Sequence, residues 1–170
     1  MTLSLEPSSY AHSVDHARLR WRWCDFDTLG VHDLQAIYRA RLQVFVIEQQ
    51  CVYQDVDGAD ALSFHLAAWS DEHPAVMPWA YARVVQPGAK YAEPSIGRVL
   101  TTDVARGTGL GRELVRRAIA HCRETYPGRG IRISAQSRLE RFYGGFGFLA
   151  QGEPYLEDGI AHTEMLLPSA

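Results

Sequence analysis

Three glycines at alternate positions, Gly107, Gly109 and Gly111, punctuate the stretch Arg106-Gly107-Thr108-Gly109-Leu110-Gly111. The stretch follows an apolar run, Ile96-Gly97-Arg98-Val99-Leu100, and opens a helix predicted over 112–125. A glycine-rich turn between a strand and a helix binds anions. Glycine lets the backbone approach a ligand and adopt positive φ. The first N–H groups of the helix then point outward, and its dipole favours negative charge there. The predicted ligand is a phosphate or pyrophosphate. A Walker A loop is excluded, because no Lys-Ser or Lys-Thr follows the glycines. A dinucleotide fingerprint is excluded too, because it needs G-x-G-x-x-G near the start of a βαβ unit. The plain alternative is a βα turn whose glycines serve packing alone.

Other chemistry-bearing residues point less sharply. Asp55, Asp57 and Asp60 lie in an acidic, turn-rich segment. Asp55, Asp57 and Gly58 match a calcium loop only in part, and no Glu follows at the required place. A solvated, hydrogen-bonding loop fits better. Cys24, Cys51 and Cys122 are odd in number and far apart, and no C-x-x-C pair exists. That predicts neither a disulfide framework nor a zinc site, and it suits a reducing cytoplasm. The histidines are scattered without ligand spacing, so no metal is expected.

The elements that must position these residues follow from periodicity. The 170 residues suit one domain, 17–170, preceded by a polar, poorly ordered tail over 1–16 that has no apolar signal core. A net charge of −3 argues against general nucleic-acid binding, and no apolar run is long enough to span a membrane. Alternation predicts a strand over 18–24, and 3.6-residue spacing of Leu34, Ile37, Tyr38, Arg41, Leu42 and Phe45 predicts a helix over 31–45. Strands over 63–69 and 79–85 form a hairpin around a turn at 71–78, and a strand over 96–101 leads into the glycine turn. Leu110, Leu114, Val115, Ala118, Ile119 and Cys122 share one face of the next helix. A strand over 131–135, a short helix over 137–143 and closing strands over 148–151 and 162–167 complete the chain. This order, antiparallel strands and then a βαβ unit, predicts an α/β (α+β) fold around a mixed sheet.

R-x-x-G-x-G at a strand-to-helix turn resembles the acyl-coenzyme A pyrophosphate loop of the GNAT acyltransferase superfamily. Phe142-Tyr143-Gly144-Gly145-Phe146-Gly147-Phe148 resembles that superfamily's C-terminal motif. Further stretches are similar to the ElaA-like branch. They include Arg41-Leu42, Val44-Phe45-Val46, Glu48-Gln49, Cys51, Tyr53, Asp57-Gly58 and Asp60. His65-Leu66, Ala82-Arg83, Ile96-Gly97-Arg98-Val99, Ala135-Gln136 and Glu157-Asp158-Gly159-Ile160-Ala161-His162 complete them. Ala161 departs from the Pro usual in relatives and removes no functional group.

The resemblance implies a GNAT fold and transfer of an acetyl group from acetyl-coenzyme A to an amine, within a ternary complex and without metal. It places the coenzyme on Val99 and Leu100 through their main chain and on the loop Arg106, Gly107, Thr108, Gly109, Leu110 and Gly111. Arg112, Gln136 and Tyr143 complete that set. Tyr143 would protonate the departing thiolate, whose thiol pKa is about 8.5, or would simply pack beside Phe142 and Phe146. The amine must lose a proton. Glu48, shielded by Val46 and Ile47, is expected to have a raised pKa and ranks first, ahead of His65 and His162. Each has a plainer reading: Glu48 pairing Arg41 or Arg83, His65 a satisfied core histidine, His162 steadying the 157–159 turn. Arg83 and Arg98 are expected to form an ion network with the acidic loop. That loop would suit a cationic acceptor if it lined the acceptor side. Cys51 as an acyl carrier has no adjacent base to activate it. The acceptor is unspecified among protein N-termini, lysine, polyamines, amino sugars and arylamines, and the fold suggests a homodimer. A coenzyme-binding regulatory module without catalysis is the second hypothesis, and a phosphate-binding fold unrelated to coenzyme A the third.

Overall fold

The computed structural model describes residues 18–71 and 77–169. The predicted tail and most of the 71–78 turn lie outside them. Seven strands form one sheet, in the order β1-β2-β3-β4-β5-β7-β6. They are β1 (Leu19–Asp25), β2 (Ser63–Ser70), β3 (Ala80–Val85), β4 (Ser95–Thr101), β5 (Ile131–Gln136), β6 (Leu149–Glu157) and β7 (Ile160–Leu167). The β4–β5 pair is parallel and all others are antiparallel. This is the predicted mixed sheet, and β2 and β3 pair as the predicted hairpin.

Two helices cover opposite faces of the sheet. The apolar face of α2 (Leu110–Thr125) buries all six predicted residues. They pack with Leu66, Ala68, Ala82, Val84, Ile131 and Ile133. On the other face, Ile37 and Ala40 of α1 (Val31–Arg41) pack with Ala67, Trp69, Tyr81 and Leu100. The central strands are therefore buried on both sides, which explains the near-continuous apolar runs in β2 and β3.

Three boundaries differ from expectation. The first helix does not end at Phe45. It is α-helical to Arg41 and then widens into a π-helix, Leu42–Glu48. The short helix before the closing strands is a 3₁₀ turn (Ser137–Leu139) followed by α3 (Glu140–Gly144). β6 runs to Glu157 instead of Gln151, and β7 begins at Ile160. β6 pairs on one edge only, is exposed through Leu156, and changes register between Gln151 and Tyr155, where Gly152 and Pro154 interrupt the alternation.

Candidate active site

β4 and β5 are paired only at Ser95 and Arg132. Beyond that rung they diverge, and a cleft of about 180 Å³ opens between them. β4 contributes Gly97, Arg98 and Val99 to its walls, and β5 contributes Ile133 to Gln136. Phe45 and Gln49 from the π-helix segment, Cys51, Tyr53, Leu139 and Tyr143 also line it. β4 bulges at this point. Arg98 and Val99 lie opposite Ala82 alone, between the pairs Arg83–Gly97 and Tyr81–Leu100. Arg98 has φ +52°, a left-handed backbone that costs an L-residue about 1–2 kcal/mol.

The glycine turn lies just past the end of β4. Gly107 (φ +75°) and Gly109 (φ +85°) are left-handed, and Gly109 caps the 16-residue α2. A Cβ at Gly107 would meet nothing within 4 Å, so backbone conformation requires that glycine and protein packing does not. The Thr108 hydroxyl donates to the Ala105 carbonyl at 2.8 Å and accepts from the Leu110 N–H at 3.4 Å, which fixes the turn. Leu110 is buried in the core. The guanidinium of Arg112 lies 5.1 Å from the Phe146 ring centre. Two left-handed glycines at the N-terminus of a long helix fit a pyrophosphate. Val99 lines the cleft, whereas the Leu100 side chain is buried in the α1 core, consistent with a main-chain role only.

Tyr143 is 7% exposed and lines the cleft. Its ring meets Phe142 and Phe148 edge-on, with centroids 5.0 and 5.9 Å away. Burial pushes its phenol up to about 12, so it holds its proton at neutral pH. Among the described residues none is hydrogen-bonded to its hydroxyl. The side chain is packed, as the plain reading has it, and its hydroxyl is available to a ligand.

The three candidate bases fare differently. Glu48 forms an ion pair with Arg106, not with Arg41 or Arg83, and accepts from Gln43 at 3.2 Å. Arg106 holds its carboxyl below the ordinary value, opposite to the expected rise. The expectation rested on apolar neighbours in sequence, and the guanidinium arrives from the glycine turn. His65 is fully buried in β2, away from the cleft. Its Nδ1 pairs with the Tyr81 hydroxyl at 2.8 Å and its Nε2 with the Asp60 carbonyl at 3.1 Å, while burial pushes its pKa down. It is the satisfied core histidine. His162 lines the cleft, and its Nδ1 donates to the Ile160 carbonyl at 2.9 Å. That bond places the proton on Nδ1 and leaves Nε2 as an acceptor. Gln136 also lines the cleft and donates to Gln49 at 3.0 Å, joining β5 to the end of the π-helix.

The expected ion network is present and larger than expected. Arg41, fully buried, donates to Asp55 Oδ2 at 2.8 Å and to Asp60 Oδ1 at 2.7 Å. Arg83 forms a fork on Asp57 at 2.7 and 2.8 Å and reaches Asp60 at 2.9 Å. Arg98 donates to Asp55 and Asp57. Burial alone would raise Asp57 and Asp60, but Arg83 and Arg41 outweigh it and hold both low. The aspartates therefore face arginines, which removes the basis for assigning this loop to a cationic acceptor or to calcium. Arg41 was missed as a network member, although it falls on the apolar face of its helix, a signal for a paired buried cation. Burial and then Asp158 raise the Cys51 thiol, which disfavours a nucleophilic thiolate.

A seven-stranded mixed sheet, split beside a glycine turn that caps a helix, defines an acyltransferase class. The sequence profile of the acetyltransferase (GNAT) domain matches residues 32–168. The chain belongs to the GNAT acetyltransferase family. Its relatives within the family bear the names ElaA and UPF0039. A UPF0039 protein of Synechocystis sp. is 40% identical over 87% of this chain and 94% of its own length. The crystal structure of an acyl-CoA N-acyltransferase from Pseudomonas aeruginosa superposes with a TM-score of 0.81 at 38% identity, covering 87% of this chain and 98% of that one. The crystal structure of Escherichia coli ElaA gives 0.80 at 33% identity, with the same two coverages.

Proposed function

We propose that the protein transfers an acetyl group from acetyl-coenzyme A to an amine, directly and in a ternary complex. The observation that carries this is the gap between β4 and β5, which are paired only at Ser95 and Arg132 and whose cleft is lined by Tyr143. The coenzyme pyrophosphate binds the N–H groups of the 107–111 turn, and Arg106 leaves Glu48 for the phosphates. The acyl arm lies along β4, whose cleft side carries no strand past Ser95. Main-chain N–H groups there polarise the thioester carbonyl. The amine attacks that carbon, the C–S bond breaks, and Tyr143 gives its proton to sulfur. His162 Nε2 accepts the proton of the amine, directly or through water.

Calorimetric titration with acetyl-coenzyme A, beside a Gly109→Glu variant, tests this reading. Micromolar binding that the variant loses is the expected result, because a side chain strains the φ of +85° and adds negative charge at the phosphate site. No binding by the unaltered protein would overturn it.

A further inference from the structure

The bulge in β4 is unusual in its occupant. The first residue of a bulge with left-handed backbone is usually glycine, and here it is Arg98. Only two other non-glycine residues among those described have positive φ. Gln50 lies between the cleft residues Gln49 and Cys51, and Asp158 lines the cleft itself. Backbone strain concentrates around this cleft, as it does around sites where geometry matters.

The Arg98 side chain is tied down. Its Nε donates to Asp55 Oδ1 at 2.7 Å. Its Nη2 reaches the Asp55 carbonyl and Asp57 Oδ2, both at 3.1 Å. The guanidinium lies 5.3 Å from the Tyr53 ring centre. Asp55 cannot yield, because Arg41 grips its other carboxylate oxygen at 2.8 Å and its carbonyl at 2.7 Å. Tyr53 donates to Oδ1 at 2.8 Å. A side chain anchored in the core thus holds a backbone conformation that its own residue type disfavours.

We infer that Arg98 is a positioning residue. The Arg41–Asp55–Arg98 chain locks the β4 bulge in the shape that turns main-chain donors toward the thioester carbonyl. This rests on the coenzyme reading above and adds a role that no motif assigns. The anchored side chain offsets the cost of that φ, so glycine, which has no such cost, should keep the bulge without the anchor, and alanine, which bears the cost unanchored, should not.

The test is the infrared carbonyl stretch of acetyl-coenzyme A, labelled with carbon-13 at the carbonyl and bound to the full chain, with binding measured by calorimetry. In the unaltered protein the stretch moves to lower wavenumber. R98G keeps that displacement, R98A loses most of it, and R98N, whose side chain tolerates left-handed backbone, falls between. R98N against R98G keeps the ranking readable if R98A does not fold. A displacement in R98A and R98N equal to that of the unaltered protein, or R98G and R98A losing it together, would overturn the inference. Binding without any displacement in the unaltered protein would overturn the inference and leave the coenzyme reading standing. Absence of binding would remove both.

Discussion

A phenol can serve a leaving thiolate only if it still holds its proton when the C–S bond breaks. Tyr143 meets that condition, since a phenol is already protonated at neutral pH and burial pushes this one further up, to about 12. Tyr143→Phe keeps the ring among Phe142 and Phe148 and removes the proton. We expect kcat to fall about 10²-fold while acetyl-coenzyme A affinity is unchanged. An unaltered kcat, measured with an acceptor found by screening, would reduce Tyr143 to packing. Glu48→Gln acts in the opposite sense. In the proposed function Glu48 competes with the coenzyme phosphates for Arg106, and an exposed pair of this kind is worth up to about 1 kcal/mol. Its loss should tighten coenzyme binding about threefold by calorimetry. The turn of Gly107 and Gly109 and the short helix of Tyr143 were legible because each motif is contiguous. Glu48 was misread because its partner lies 58 positions away, where no local pattern reaches.

At the scale of elements, the ion network joins α1, the 55–60 loop, β3 and β4. Three arginines balance three aspartates, and most of the network is buried. Arg41→Met leaves Asp55 and Asp60 without their deepest cation and should cost about 3–5 kcal/mol in urea unfolding. A loss under about 1 kcal/mol would show that the loop relaxes to water instead. The sequence placed Arg83 and Arg98 against the acidic loop through charge complementarity. It did not show that the carboxylates turn inward, because an acidic turn-rich stretch looks the same whether water or arginine satisfies it. The π-helix was hidden for a related reason: Leu42, Val44 and Phe45 suit either winding, and the contacts of Glu48 with the glycine turn and of Gln49 with β5 are long-range.

For the whole molecule, acid sensitivity should come in two steps. His65 and His121 are pushed down by burial, so below their unfolded value of about 6.5 the unfolded chain binds more protons. Stability falls as pH drops there, by up to about 1.4 kcal/mol per pH unit for each proton. Asp57, Asp60 and Glu48 are held low, so their contribution is complete above about pH 5 and is lost progressively below it. His65→Gln should flatten the upper step in urea unfolding from pH 7 to 5, and an unchanged slope there would exclude His65 as its source. The order of strands and α-helices was legible, since hydrophobic period and turn residues determine it. The parting of β4 and β5 was not, because each strand carries the apolar pattern of one with neighbours on both sides.

One rung joins the two halves of the sheet. Coenzyme lying in the gap would serve as a keystone, and its supply would then govern how long the folded chain survives. At a hundredfold excess over Kd the ligand adds about 2.7 kcal/mol to the native state. Amides of β4 and β5 should therefore exchange hydrogen more slowly as acetyl-coenzyme A rises, while those of β1 and β2 follow only global unfolding. A cell poor in acetyl-coenzyme A would hold this protein nearer to proteolysis, so that abundance and activity decline together.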